Sequence, residues 1–173
     1  MSKVAVFHDG PNGCATGSDG CAGLHIIIPA YNDPTRPPDL TDDEFYEYAV
    51  ARTFAAAQSD RTTVAIHAIE HLDIPSDRVF RNAWECPTGS IQVNMPKARI
   101  IHMDVIRKVR NAELAKLDIP FMRAVETGDT GAQATIAVEK QTLRDIPQTF
   151  DLTARTPQQL KEKWPTELPA RTA

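Results

Sequence analysis

The stretch Met95-Pro-Lys-Ala-Arg-Ile-Ile-His-Met-Asp-Val-Ile-Arg-Lys-Val-Arg110, continued as Asn111-Ala-Glu-Leu-Ala-Lys-Leu117, has the periodicity of one long helix. Ala98, Ile101, Val105, Val109, Ala112 and Leu117 recur near the 3.6-residue period and form one apolar stripe. Arg99, Arg107, Lys108, Arg110 and Lys116 lie around and between them. Pro96 suits a first turn, where its missing N–H leaves no bond unmade. Asp118-Ile-Pro120 then breaks or kinks the helix, because proline removes a donor and disfavours helix at Ile119. The pattern resumes with Phe121, Met122, Ala124 and Val125. Gly128 reads as a left-handed helix stop, and Asp129 or Thr130 as the cap of a helix over about Gly131 to Arg144. Ala132, Ile136, Val138 (or Ala137) and Leu143 are expected to face inward. A loop as short as Thr127-Gly-Asp-Thr-Gly131 makes the flanking helices antiparallel neighbours. Thr156 to Trp164 reads as a short capped helix whose Leu160 and Trp164, four apart, clamp onto the hairpin.

Upstream, Val4-Ala-Val-Phe7 and Leu24-His-Ile-Ile-Ile28 read as strands joined by a glycine-rich loop from Gly10 to Gly23. Pro29 to Leu40 reads as an extended linker needing outside contacts for order. Thr41-Asp-Asp-Glu44 is a capping box opening a helix over about Asp42 to Gln58, with Phe45, Tyr48, Ala49 and Phe54 on its apolar face. Thr62 to Ile69 is apolar on both faces and is expected at the centre of a small sheet. Ser76 to Trp84 suggests a helical turn packing Phe80 and Trp84, and Ser90 to Asn94 a last strand. The fold class is therefore α+β. A small mixed-sheet domain with one helix occupies 1–95, a helical hairpin with a short closing helix 96–165, and an extended tail 166–173.

Composition bounds function. The net charge is −4, which gives no global drive toward nucleic acid or anionic membrane. No run approaches the roughly 18–20 apolar residues needed to span a bilayer. Val4-Ala-Val-Phe7 reaches Asp9 too soon for a signal-peptide core, so synthesis and use, or assembly, in a cytosol is expected. Three cysteines argue against a full disulfide framework.

Several short segments occur in a fixed order: Asp77-Arg-Val-Phe-Arg-Asn-Ala-Trp84, Pro96 to Arg110, Leu117-Asp118 with Phe121-Met-Arg-Ala124, Leu143-Arg-Asp-Ile-Pro147, and Thr156-Pro-Gln-Gln-Leu160 with Trp164-Pro165. This series resembles small tail-fibre-associated or tail assembly proteins of tailed bacteriophages and prophages, over roughly Leu72 to Pro165. The resemblance implies a non-enzymatic tail component made in the host bacterial cytoplasm and placed in the virion tail. Its partners would be tail-fibre or tail-tip subunits, and it would be a homo-oligomer within a symmetric assembly. It carries over no catalytic residues. This sequence departs from the family's pattern at Pro120 and in the length of the Gly10–Gly23 loop.

The residues themselves offer few chemical constellations. His8, Cys14, Cys21 and His25 are the one metal-like set, as His-x5-Cys-x6-Cys-x3-His. Zinc takes four such ligands, but the tight Cys-x2–4-Cys pair is missing, so two strand-end histidines and two loop thiols are the simpler reading. His67 and His71 lie too far apart along a strand for one ion. His102 with Asp104 reads as helix-surface polarity. Asp129-Thr-Gly131 lacks the strands and second carboxylate of an aspartic protease. Neither a phosphate loop nor a dinucleotide fingerprint occurs, and no cofactor is expected. Lys97, Arg99, Arg107, Lys108 and Arg110 lack the interleaved aromatics of single-strand binders.

Docking is therefore the expected mode of action, with one hairpin face turned inward and the other offering anchors to a neighbouring subunit. Arg and Trp most often dominate such contacts. The expected interface residues are Arg81, Trp84, Arg107, Arg110, Leu160 and Trp164. The same hairpin would serve a tail-fibre assembly chaperone absent from the mature virion. A third reading is a small zinc-stabilised binding module using His8, Cys14, Cys21 and His25.

Overall fold

The computed structural model describes residues 2–8, 24–56 and 66–171. The chain divides into two compact units, Met1–Asn94 and Met95–Ala173. The first is an α+β unit and the second is helical, so the chain is α+β. Among the described residues no helix is long and apolar enough to cross a membrane.

In the first unit, β1 (Lys3–His8), β2 (Leu24–Ile27) and β3 (Ile66–Glu70) form one sheet of order β2-β1-β3. Both neighbours run antiparallel to β1, with Ala5 opposite Ile27 and Ala68. The strand expected at the centre, Thr62–Ile69, is instead at one side, and its residues before Ile66 lie outside the described residues. The reason is burial. Val4, Ala5 and Val6 are fully buried on both faces of β1, whereas Ala68 of β3 is exposed.

Alternation splits β1 between two cores. Val4 and Val6 pack with Leu24, Ile69, Trp84 and Cys86, while Ala5 and Phe7 pack with Tyr46, Val50 and Phe54 of α1 (Asp42–Ala56). Burial pushes the Cys86 thiol up. The capping box on α1 closes as read: the Thr41 amide donates to Glu44 Oε2 at 2.9 Å and the Glu44 amide to Thr41 Oγ1 at 3.3 Å. The inward face shifts, however, to Phe45, Tyr46, Val50 and Phe54, leaving Tyr48 43% exposed. A 3-10 turn at Arg81–Ala83 leads into the ribbon β4 (Trp84–Glu85) and β5 (Gln92–Val93).

The Pro29–Leu40 segment is tied down by bonds within its own chain. Arg36 Nη2 donates to the Leu40 carbonyl at 2.6 Å, Nη1 donates to Asp42 at 2.9 Å, and the guanidinium lies 4.7 Å from the Phe45 ring centroid. Tyr31 Oη donates to the Lys3 carbonyl at 2.8 Å.

The second unit comprises α2 (Met95–Lys116), α3 (Asp118–Glu126), α4 (Thr130–Thr149) and α5 (Pro157–Glu162). Pro120 separates two helices: the break falls at Leu117, and Pro120 sits in the first turn of α3. Gly128 has φ +67° and Asp129 accepts from the Ala132 amide at 2.9 Å, stopping α3 and capping α4. Lys140 meets Asp118, and Gln133 donates to the Ala124 carbonyl, so α3 and α4 run antiparallel. The hairpin is bent at the α2–α3 break.

Two inward faces agree with expectation in part, Ala98 of α2 and Leu143 of α4 being buried, and shift elsewhere. On α2 the buried residues are Ala98, His102 and Ile106, one position on from the expected Ile101 and Val105. On α4 they are Lys140, Leu143 and Ile146, while Val138 is 67% exposed. α4 also runs past Arg144 through Pro147, because Ile146 gains burial in the hairpin core and the lost bond lies in the last turn. The tail 166–173 is not free as far as it is described. Leu168 is buried against Ile106, Leu143 and Ile146, and Trp164 Nε1 donates to the Pro169 carbonyl at 2.9 Å.

Candidate docking surface

α3 is nine residues long and apolar around more than one side, with Ile, Phe, Met, Ala and Val among its residues. At 100° per residue, Phe121 stands about 200° from Ile119, and Ala124 about 200° from Met122. The inward side carries Ala124, 6% exposed, and the half-buried Phe121. The outward side carries Ile119, Met122 and Val125, 63%, 56% and 47% exposed. Spaced three apart, these form one strip along the helix.

The strip is held rigidly from behind. Lys140 is only 9% exposed; its ammonium donates to Asp118 at 2.8 Å and lies 4.8 Å from the Phe121 ring centroid. This anchors the first turn of α3, which presents Ile119. The Gln133 bond to the Ala124 carbonyl, at 3.0 Å, anchors the last turn. The same pairings place Val138 of α4 level with the Ile119 end of α3. Arg123 and Glu126, both exposed, sit on the same helix and supply polar margins. Apolar residues contiguous on a surface mark contact sites more often than scattered ones do.

The six residues expected from sequence fall elsewhere. Trp84 is 3% exposed and Leu160 fully buried, so neither offers surface; each fills the core of its own unit. Trp164 is half-buried, its ring centroid 6.1 Å from that of His102 in an edge-on arrangement and its indole N–H donating to the Pro169 carbonyl. Arg107 is exposed but paired with Asp104 at 2.9 Å. Arg81 is exposed on the 3-10 turn. Arg110 is half-buried, and its Nε is enclosed without a hydrogen-bond partner among the described residues.

His102 was expected at the surface and is 1% exposed. Its Nε2 lies 2.7 Å from the Lys163 carbonyl, which can only accept, so that nitrogen carries the proton. Burial pushes the imidazole below its ordinary value; the carbonyl bond opposes this and the Arg171 charge adds to it. Of the metal-like set, Cys14, Cys21 and the side chain of His8 lie outside the described residues, and His25 stacks on Phe7 at 5.2 Å. Among the described residues no three His, Cys, Asp or Glu side chains converge as a metal site would need.

Set against protein-family models, curated proteins and solved structures, the chain matches none.

The outward strip is the feature the sequence reading missed. Its signal was present: five of the nine α3 residues are apolar, more than one buried stripe needs.

Proposed function

We propose that the chain is a structural component of a bacteriophage tail, at the tip or beside the fibre, acting by docking to neighbouring subunits and not by chemistry. The observation that carries the docking mode is the outward strip of Ile119, Met122 and Val125 on a helix clamped by Lys140–Asp118 and Gln133. The tail setting is supported by the ordered segments between Leu72 and Pro165 that resemble tail-associated proteins. Pre-organisation of the strip lowers the ordering cost of docking, which is what a permanent subunit contact requires. A homo-oligomer in a cyclic assembly, made in the bacterial cytoplasm and carried in the virion tail, completes the reading.

The test is mass spectrometry of purified particles, with copy number, for wild type and for Ile119→Ser/Met122→Ser. Wild type is expected at a small fixed copy number. The double variant, altered only at exposed positions, is expected to fold and yet to be depleted from particles at least five-fold. Equal incorporation of the variant would sink the α3 contact. Absence of the wild-type chain from particles, with the chain present in infected cells, would replace the structural role by that of an assembly chaperone.

A further inference from the structure

The described residues of the first unit surround an open groove of about 920 Å³ at the sheet end where β2 and β3 finish and β1 begins. One bank is the segment from Ile28 to Pro34 and the other runs from Glu70 to Asp73. Each bank shows one large apolar side chain to solvent: Ile28 is 52% and Leu72 94% exposed. Ile28 directly precedes Pro29, and Leu72 belongs to the 3-10 turn that follows β3, so both hang on the ends of paired strands. The position is set by backbone bonds, including the His71 amide donating to the Ser2 carbonyl at 3.0 Å.

Among the described residues that line the groove the charge is mainly acidic. Asp33, Glu70 and Asp73 line it, with His71 as the one basic side chain among the described lining residues. Of the basic residues of the adjoining segments, Lys3 is held by Asp43 at 2.7 Å while standing opposite Glu70 in the β1–β3 register, and Arg36 is held by Asp42 at 2.9 Å. The Thr35 hydroxyl and amide, each 2.7 Å from Asp33 Oδ1, keep that carboxylate ionised while its second oxygen takes no part in them.

We propose that this groove takes an extended segment of a partner protein in which an arginine or lysine stands beside an apolar side chain. An extended chain places successive side chains about 3.3 Å apart on alternating sides, so one can cover Leu72 or Ile28 while the next meets a carboxylate. Leu72 gives almost no enclosure until something lies across it. That favours a chain bridging both banks over a small molecule, which needs walls burying most of its surface. Three carboxylates on the rim, Asp33, Glu70 and Asp73, favour a cationic segment and disfavour an acidic one. The residues belong to the first unit, so this contact stands independently of the α3 strip.

The test uses the full chain, 15N-labelled, titrated to millimolar concentration with a blocked hexapeptide of alternating leucine and arginine. A leucine–glutamate hexapeptide serves as the charge control. Amide shifts confined to 28–34 and 70–73, seen with the arginine peptide and not with the glutamate peptide, are expected. Leu72→Ser, altered at a side chain almost wholly in solvent, is expected to keep the wild-type spectrum elsewhere and to weaken the arginine peptide at least three-fold. No response, a response confined to 95–173, an equal response to both peptides, or unchanged affinity in Leu72→Ser would each overturn the proposal.

Discussion

Single residues show how much of this chain's stability rests on a few enclosed side chains. Ile106 is fully buried where α2 meets Leu143 and Ile146 of α4 and Leu168 of the tail. Ile106→Ala should therefore cost about 2–5 kcal/mol, measured by urea unfolding followed at the helical signal. His102 carries a pH dependence whose sign is fixed by its environment. Its folded value lies below the ordinary 6.5, so between the two values the unfolded chain binds more protons. Stability should fall as pH drops below about 6.5 and level off once the folded imidazole is also protonated. His102→Gln, which keeps a donor for the Lys163 carbonyl, should flatten that part of a thermal-unfolding profile taken from pH 7.5 to 5. An unaltered slope would show that His102 does not carry it.

Elements are governed here by their ends and by one half-buried ion pair. Gly128 stops α3 at a positive φ, and a Cβ there would meet nothing within 4 Å. Gly128→Ala should thus lose only the backbone preference, about 1–2 kcal/mol in denaturant unfolding, with the hairpin retained. Lys140 and Asp118 are unequal partners: the lysine is buried and the aspartate faces solvent. Removing the aspartate strands a buried ammonium, whereas replacing the lysine by methionine leaves an apolar side chain over Phe121. Asp118→Ala should be the more destabilising of the two by about 1–2 kcal/mol, and a reversed order in paired unfolding curves would contradict this account. The same scale explains why boundaries were legible. The Thr41–Glu44 box, the Gly128 stop and the Asp129 and Thr156 caps are local hydrogen-bond chemistry between residues at most three apart. Inward faces were less legible, because α2 packs on more than one neighbour and its buried row, Ala98, His102 and Ile106 at four-residue spacing, passes through a polar histidine.

For the whole molecule, each unit has its own core: two clusters on the faces of β1, and one among α2, α4 and the tail. A fragment spanning 95–173 should accordingly fold alone and unfold in one cooperative step by circular dichroism. A gradual, non-cooperative melt would show that it needs the first unit. Docking surfaces were the least legible feature. Sequence reasoning chose Trp84 because tryptophan often anchors contacts, and Leu160 as part of the clamp on the hairpin, but both are consumed by the cores. Met122 and Val125 look like core in sequence and Ile119 like part of a break, yet the fold turns all three outward.

What the residue order determined alone is what depends on near neighbours: the α+β class, the caps and stops, and an interruption at Asp118–Pro120, which the fold resolves into two helices. Those interactions span a few residues and are written in the chain. The tertiary structure alone decided that β1 is central, that Pro147 stays inside α4, that His102 is buried, that Leu168 returns to the hairpin core, and which apolar side chains remain exposed. Each of these depends on which distant surface covers a residue, and burial is a property of the packed neighbours and not of the local sequence.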